Sequence, residues 1–136
     1  MIDENNNPIV MYLVVRESLN MSVGKTAAQV GHAVQYVYER FLALQHAHAY
    51  MQNASPYEDK VNIFNAWNDT WHRKIVLKAD EKEWEKIKND PTLIHKSIVV
   101  DKGLTELDPN TETVIGFYPM YKNDCPKIIK RLQVLK

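Results

Sequence analysis

Apolar and polar positions follow one another along this chain in blocks that predict strands and helices in turn. Residues 9–15 are apolar at every position, which is typical of a strand buried on both faces of a sheet. A helical period follows and predicts one long helix from about residue 22 to about residue 49. Later blocks predict a helix over 56–70, a strand over 73–79, a short helix after Asp80, strands over 93–100 and 113–118, and a last helix beginning at 124–126.

The predicted order of elements is β-α-α-β-α-β-β-α. Long helical crossovers imply parallel strand pairs, whereas the short link between the last two strands implies an antiparallel pair. We therefore expect an α/β fold of three α/β/α layers, with a four-stranded mixed sheet and helices on both of its faces. We expect residues 1–136 to form a single domain in which residues 1–8 are a flexible tail.

One face of the long helix carries polar side chains of possible chemical use. At about 100° per residue, Gln29 lies roughly 40° and His32 roughly 20° from Lys25 around the helix axis. The apolar residues of the helix fall on a separate stripe. This face is either a solvated flank or a functional surface, and the small neighbours Ala27 and Ala28 would let a ligand approach it closely.

A second polar group follows the third predicted strand, over residues 101–105. Ligands of open α/β sheets gather at the carboxyl ends of strands, so we expect Asp101 to lie near Lys25. Lys25 can stabilise an oxyanion, and Asp101 can orient Lys25 or activate a water molecule. Thr105 and Thr113 can donate hydrogen bonds. The alternative is that Asp101 is an ordinary turn residue and that the threonines cap strand ends.

Composition narrows the class of protein. The 136 residues include 17 basic and 17 acidic side chains, so net charge does not indicate nonspecific nucleic-acid binding. No apolar run is long enough to span a bilayer, and the first residues lack the pattern of a signal peptide. With Cys125 as the single cysteine, we expect a cytoplasmic protein. The histidines show no metal-ligand spacing, and we expect no cofactor.

Several blocks resemble the type 2 peptidyl-tRNA hydrolases, in that family's order. They begin with Val14-Val15-Arg16-Glu17-Ser18-Leu19-Asn20-Met21 and Gly24-Lys25-Thr26-Ala27-Ala28-Gln29-Val30-Gly31-His32-Ala33. Further blocks are Lys74-Ile75-Val76-Leu77-Lys78-Ala79, Asp101-Lys102-Gly103-Leu104-Thr105 and Thr111-Glu112-Thr113-Val114-Ile115-Gly116. The resemblance runs from about residue 9 to the end of the sequence, and the lysine-to-histidine block is its most specific part.

The resemblance implies a three-layer α/β/α fold and metal-free hydrolysis of the ester that joins a peptide to the 3′ end of a tRNA. It also implies a homodimer. The site candidates that carry over are Lys25, Gln29, His32, Asp101, Thr105 and Thr113. We add Lys102 and Met21 as candidate substrate contacts.

The chain departs from the family pattern at a few positions. Ser18 stands where an aspartate is usual, Leu104 replaces a basic residue, and Tyr118 replaces a glycine. The segment between His32 and Lys74 is longer than usual. These departures leave a second hypothesis open: a catalytically inactive module of the same fold that binds tRNA, a nucleotide or a protein partner. Hydrolysis of a different ester or amide is a third.

Overall fold

The strand at the centre of the molecule, β1 (Ile9–Arg16), is buried over almost its whole length, as its apolar sequence predicts. The computed structural model describes residues 6–51, 55–104 and 106–136. After β1 the elements are α1 (Val23–Met51), α2 (Glu58–Asp69), β2 (Lys74–Ala79), α3 (Glu81–Lys88), β3 (Lys96–Asp101), β4 (Thr111–Phe117), β5 (Met120–Tyr121), α4 (Lys127–Lys130) and β6 (Gln133–Val134). None of these helices is both long and apolar enough to cross a membrane. Residues 1–5 of the predicted tail lie outside the described residues.

The sheet is mixed, with the strand order β3-β4-β1-β2-β6 and with β5 paired to β1. β1 and β2 are parallel, and β4 is antiparallel to both β1 and β3. The predicted α/β class and the antiparallel β3–β4 pair are confirmed. The prediction of four strands is wrong, because the residues that the structure describes form a sheet of six strands. The two additional strands, β5 and β6, have two residues each and were too short to give a periodic signal.

The last predicted helix is much shorter than expected. Apolar spacing over Ile128, Ile129, Leu132 and Leu135 predicts a helix to the end of the chain, whereas α4 ends at Lys130. The chain then turns back, and β6 pairs with Leu77 and Lys78 of β2. This pairing satisfies backbone groups that the outer edge of β2 would otherwise leave open. Backbone hydrogen bonding at the edge of β2 is therefore favoured over the longer helix that the apolar spacing predicts.

Side chains of β1 alternate between two cores on opposite faces of the sheet. Met11 and Leu13 point to one core, where they meet buried residues of α1 and α2. Val10 and Val14 point to the other, which α3 and α4 cover. Helices thus lie on both faces of the sheet, and burial on both sides explains why β1 has no polar alternation.

The segment that is longer than usual forms α2 and packs into the first core. Phe64 of α2 stacks on Phe41 of α1, with ring centroids 4.0 Å apart. Tyr118, at the end of β4, is buried and donates its hydroxyl to the carbonyl oxygen of Lys60, 2.8 Å away. Tyr118 therefore anchors α2 to the sheet, at the end of β4 that lies away from Asp101.

Candidate active site

The first turn of α1 places Lys25 next to the sheet. Ser22 caps this helix, since its Oγ accepts a hydrogen bond from the backbone N–H of Lys25 at 3.2 Å. Before it, Asn20 adopts a left-handed conformation with φ of 50°, which ends a short 3-10 segment and turns the chain into α1. The side chain of Lys25 therefore starts from a well-defined helix end.

Lys25 and Asp101 meet at one edge of the sheet. β4 is antiparallel to both β1 and β3, so the carboxyl ends of β1 and β3 lie at the same edge. Lys25 Nζ donates to Asp101 Oδ1 at 2.7 Å. The two side chains are only 13% and 8% exposed, respectively. A charge pair with so little contact with water is weakly screened and geometrically constrained.

The buried side-chain amide of Gln29 also binds the carboxylate of Asp101. Gln29 Nε2 donates to the same Asp101 Oδ1 at 3.2 Å. The other end of that amide, Oε1, accepts the hydroxyl proton of Thr113 at 2.6 Å. Thr113 is fully buried, and Gln29 is 3% exposed. Thr113 thus sets which way the amide points, and the amide in turn orients the carboxylate.

The second oxygen of Asp101 is bonded within its own loop. Oδ2 accepts the backbone N–H of Gly103 at 2.8 Å. Gly103 has φ of 75°, and a Cβ there would lie 2.4 Å from the backbone nitrogen of Pro109, so the turn requires glycine. The bond from Lys25, followed by the bond from Gly103, lowers the pKa of Asp101 despite its burial. Asp101 is therefore a firmly ionised carboxylate.

An open depression of about 350 Å³ lies against this pair. Lys25, Gln29, His32, Asp101 and Lys102 all line it, so the structure brings five of the predicted site residues together. The wall also includes the site's apolar residues, namely Ala28, Tyr36, Val100 and Leu104. The predicted polar face of α1 is thus the floor and one side of a depression that a ligand can enter.

The remaining predicted site residues are placed differently. Thr113 lies behind Gln29, to which it donates a hydrogen bond, and has no exposed surface. Met21 lies in a separate apolar cleft together with Val23 and Leu135. Thr105 is outside the described residues. Among the described residues, no cluster of three or more His, Cys, Asp or Glu side chains has the arrangement of a metal site.

One contact at this edge has no signal in the sequence. Glu106 binds the first turn of α1, where its two carboxylate oxygens accept the backbone N–H of Ser22 at 2.8 Å and its hydroxyl at 2.7 Å. Both bonds lower the pKa of Glu106. A carboxylate at a helix N-terminus is favourable, but 84 residues separate the partners. The contact joins the loop after Asp101 to the helix that carries Lys25.

Two departures from the family pattern, Ser18 and Leu104, lie near this edge of the sheet. Ser18 donates its hydroxyl to Glu81, which also accepts two hydrogen bonds from Arg16, so a carboxylate from α3 lies beside position 18. Leu104 is 87% exposed at the rim of the depression.

Comparison with known proteins gives one consistent result. The family described as "Peptidyl-tRNA hydrolase PTH2" matches residues 9–135. A peptidyl-tRNA hydrolase of Thermoplasma acidophilum is 33% identical over 128 residues, which cover 92% of this chain and 97% of the relative. That of Thermoplasma volcanium is 34% identical over 117 residues, covering 84% and 87%. That of Staphylothermus marinus is 32% identical over 137 residues, covering 96% and 98%.

Proposed function

Because this chain belongs to the peptidyl-tRNA hydrolase PTH2 family, it hydrolyses peptidyl-tRNA, and we propose that the Lys25–Asp101 pair is the centre of its active site. The reaction splits the ester between the peptide and the terminal ribose with water, which releases the peptide acid and free tRNA. The observation that carries the site assignment is the ion pair of 2.7 Å at the sheet edge, beside an open depression.

Lys25 is suited to stabilise charge on the reacting carbonyl. When the oxygen of water attacks the carbonyl carbon, negative charge develops on the carbonyl oxygen. An ammonium group held in place by Asp101 needs little reorganisation to meet that charge, and such preorganised donors contribute about 3–4 kcal/mol to transition-state stabilisation. Because the side chain of Lys25 is largely buried, the interaction is stronger than it would be in open water.

Asp101 is better suited to orient Lys25 than to activate water. A general base works best when its pKa lies near the operating pH. The pKa of Asp101 is lowered by the bonds from Lys25 and Gly103, which makes its carboxylate a poor proton acceptor near neutrality. The sequence left two roles open for Asp101, orienting Lys25 and activating water. The bond to Lys25 and the lowered pKa of Asp101 support the orienting role.

His32 is the candidate base in this scheme. It lines the same depression and lies on the same face of α1 as Lys25. Imidazole is the commonest general base of enzymes near neutral pH. His32 would take a proton from the attacking water, and the ester C–O bond would then break as that proton passes to the departing ribose oxygen. Gln29 and Thr113 position the carboxylate, and Lys102 is placed to meet a phosphate at the rim.

Substrate contact by Thr105, cellular location and oligomeric state belong to the proposal as well. We propose a single cytoplasmic domain that acts as a homodimer. The resemblance of the sequence to the family supports the dimer, and the lone Cys125, which is buried and free, is in keeping with a reducing compartment. Sedimentation equilibrium at several concentrations tests the dimer, and cell fractionation tests the location.

The non-catalytic alternative is not favoured. Its motivation was the set of altered positions, Ser18, Leu104 and Tyr118. The family match and the relatives named above support a hydrolase instead.

The proposal is tested by release of an N-acetylated amino acid from charged tRNA. We expect turnover by the wild type and a loss of at least about 100-fold in kcat for Lys25→Ala, since one preorganised donor is removed. Lys82→Ala, which removes an exposed lysine of α3, is the matched control and should retain wild-type activity. A folded wild-type protein without turnover would contradict the assigned function. Full activity in Lys25→Ala would contradict the assigned site.

A further inference from the structure

A group of basic side chains lies beside a second depression, which is separate from the one at Lys25 and Asp101. Arg40 of α1 and Lys60 of α2 both lie close to His95, which precedes β3, and we call these three residues the basic cluster. They come from three separate parts of the chain, and the fold brings them together. The hydrolysis scheme uses none of them.

Each member of the basic cluster is held by a specific contact. Arg40 Nη2 donates to the carbonyl oxygen of Lys96 at 3.2 Å. Lys60 Nζ lies 5.5 Å from the centre of the Tyr118 ring, and the His95 ring centre lies 6.2 Å from it. All three basic side chains are partly exposed. The cluster therefore holds two positive charges, those of Arg40 and Lys60, that solvent can reach.

The basic cluster borders an open depression. The depression has a volume of about 280 Å³ and is lined by Lys60, His95 and Tyr118, among others. Burial and the nearby charges of Lys60 and Arg40 lower the pKa of His95, so the fields of both cations reach this point. Among the described lining residues, Asp124 supplies the single carboxylate, on the side formed by the turn after β5. The cluster thus carries two cations, whereas this depression has one carboxylate among its described lining residues.

The geometry of α1 and β3 connects the cluster to the active site. Lys25, near the start of α1, bonds the last residue of β3, Asp101. Arg40, fifteen positions later and about 60° around the helix axis, bonds the first residue of β3, Lys96. The helix therefore runs along the edge strand in the opposite direction, and about 22 Å of helix separates the two basic side chains. His32 and Tyr36 lie on the same face between them.

We propose that the basic cluster binds the sugar–phosphate backbone of the tRNA while its 3′ end lies at Lys25 and Asp101. This inference rests on the proposed function. A separation of about 20 Å covers several nucleotides of one strand, and phosphate charge dominates the affinity of proteins for nucleic acids. Recognition of RNA helices relies on shape and on backbone contacts. Basic side chains at both ends of the contact between α1 and β3 match such a substrate, although the net charge of the chain is zero.

The test compares the double variant Arg40→Gln/Lys60→Gln with the control Lys82→Gln/Lys86→Gln, which removes two exposed charges from α3 on the other face of the sheet. Hydrolysis of N-acetylated aminoacyl-tRNA and equilibrium binding of uncharged tRNA are measured from about 50 to about 200 mM salt. The salt slope is the slope of the logarithm of tRNA affinity against the logarithm of salt concentration, and the loss of two phosphate contacts reduces its magnitude by about two. The wild type should therefore lose about tenfold more affinity over this range than the variant does.

The expected kinetic result is a raised KM with kcat within about twofold of the wild type, while the control is unchanged. Lys60→Gln alone serves as a second variant, because Arg40 also bonds Lys96 and its loss can disturb α1. An unchanged KM and an unchanged salt slope in both variants would overturn the proposal. The basic cluster would then be a candidate contact for a protein partner. Binding of tRNA decides the question even if the wild type shows no turnover, and absent turnover would count only against the proposed function.

Discussion

Lys25 and Asp101 are 76 residues apart in the sequence, yet Lys25 Nζ lies 2.7 Å from Asp101 Oδ1. The contact exists because β4 is inserted antiparallel between β1 and β3, which brings the carboxyl ends of those two strands to one edge. α1 starts at that edge and packs along β3. The ion pair is therefore a product of sheet topology, and changes to the groups around it should alter it in defined ways.

Thr113→Val removes the hydroxyl that bonds Gln29 and keeps the shape of the side chain. Gln29 Oε1 would be buried without a partner, which costs about 1–3 kcal/mol of unfolding free energy. The amide would also lose its fixed orientation, so kcat should fall while KM stays nearly constant. Urea denaturation and steady-state kinetics measure both effects. Thr113→Ser keeps the hydroxyl and should recover most of the kcat; equal losses in the two variants would show that Thr113 acts through packing alone.

Glu106→Ala releases the loop after Asp101 from the start of α1. We expect kcat/KM to fall several-fold, because Glu106 and Ser22 join the two segments that carry Asp101 and Lys25. A double-mutant cycle with Ser22→Ala isolates this coupling. The losses in kcat/KM should be strongly non-additive. Independent losses in the cycle would mean that the contact does not position the site.

Gly116→Ala tests how closely α1 must approach the sheet. A Cβ at Gly116 would lie 3.0 Å from Val37 Cγ2 and 3.2 Å from the carbonyl oxygen of Ala33, so α1 would have to move away from β4. We expect a loss of about 1–3 kcal/mol in unfolding free energy and a lower kcat. Gly31→Ala is the matched control, since a Cβ there meets nothing within 4 Å and alanine favours the helix by about 0.5–1 kcal/mol. Equal stability of the two variants would contradict tight packing at Gly116.

The pH dependence of stability should report the ionisation of Asp101. Its pKa in the folded protein is lowered, so the stabilisation is fully present above its unfolded pKa, near pH 4, and is lost as the pH falls through the folded value. Asp101→Asn should therefore be less stable than the wild type at about pH 7, and the difference should shrink at about pH 3. Urea denaturation at both pH values measures it. A difference that is constant with pH would contradict the charged pair.

Much of the site follows from local patterns in the sequence. The period of an α-helix places Lys25, Gln29 and His32 on one face, and the end of a buried strand marks Asp101. Those signals suffice because each needs only a few neighbouring residues and the rule that ligands meet the carboxyl ends of strands. The structure brings these residues together in one depression.

Other features depend on contacts between distant segments and have no local signal. Glu106 reaches Ser22 only because the β3–β4 connection passes over the start of α1. The sequence does not indicate where α4 ends or that β6 follows it. Apolar spacing over residues 128–135 fits a helix as well as a chain that returns to the edge of β2. The basic cluster likewise needs α2 placed against Tyr118, which the sequence of α2 does not specify.

The claim that Lys25 and Asp101 act as one unit is tested most directly by the kcat of Lys25→Ala, Asp101→Asn and the double variant on N-acetylated aminoacyl-tRNA. Groups that act together in catalysis show strongly non-additive losses. We predict that each single variant loses at least about 100-fold in kcat and that the double variant loses little more than the worse of the two. Losses that multiply in the double variant, or a single variant with nearly wild-type kcat, would contradict the assignment.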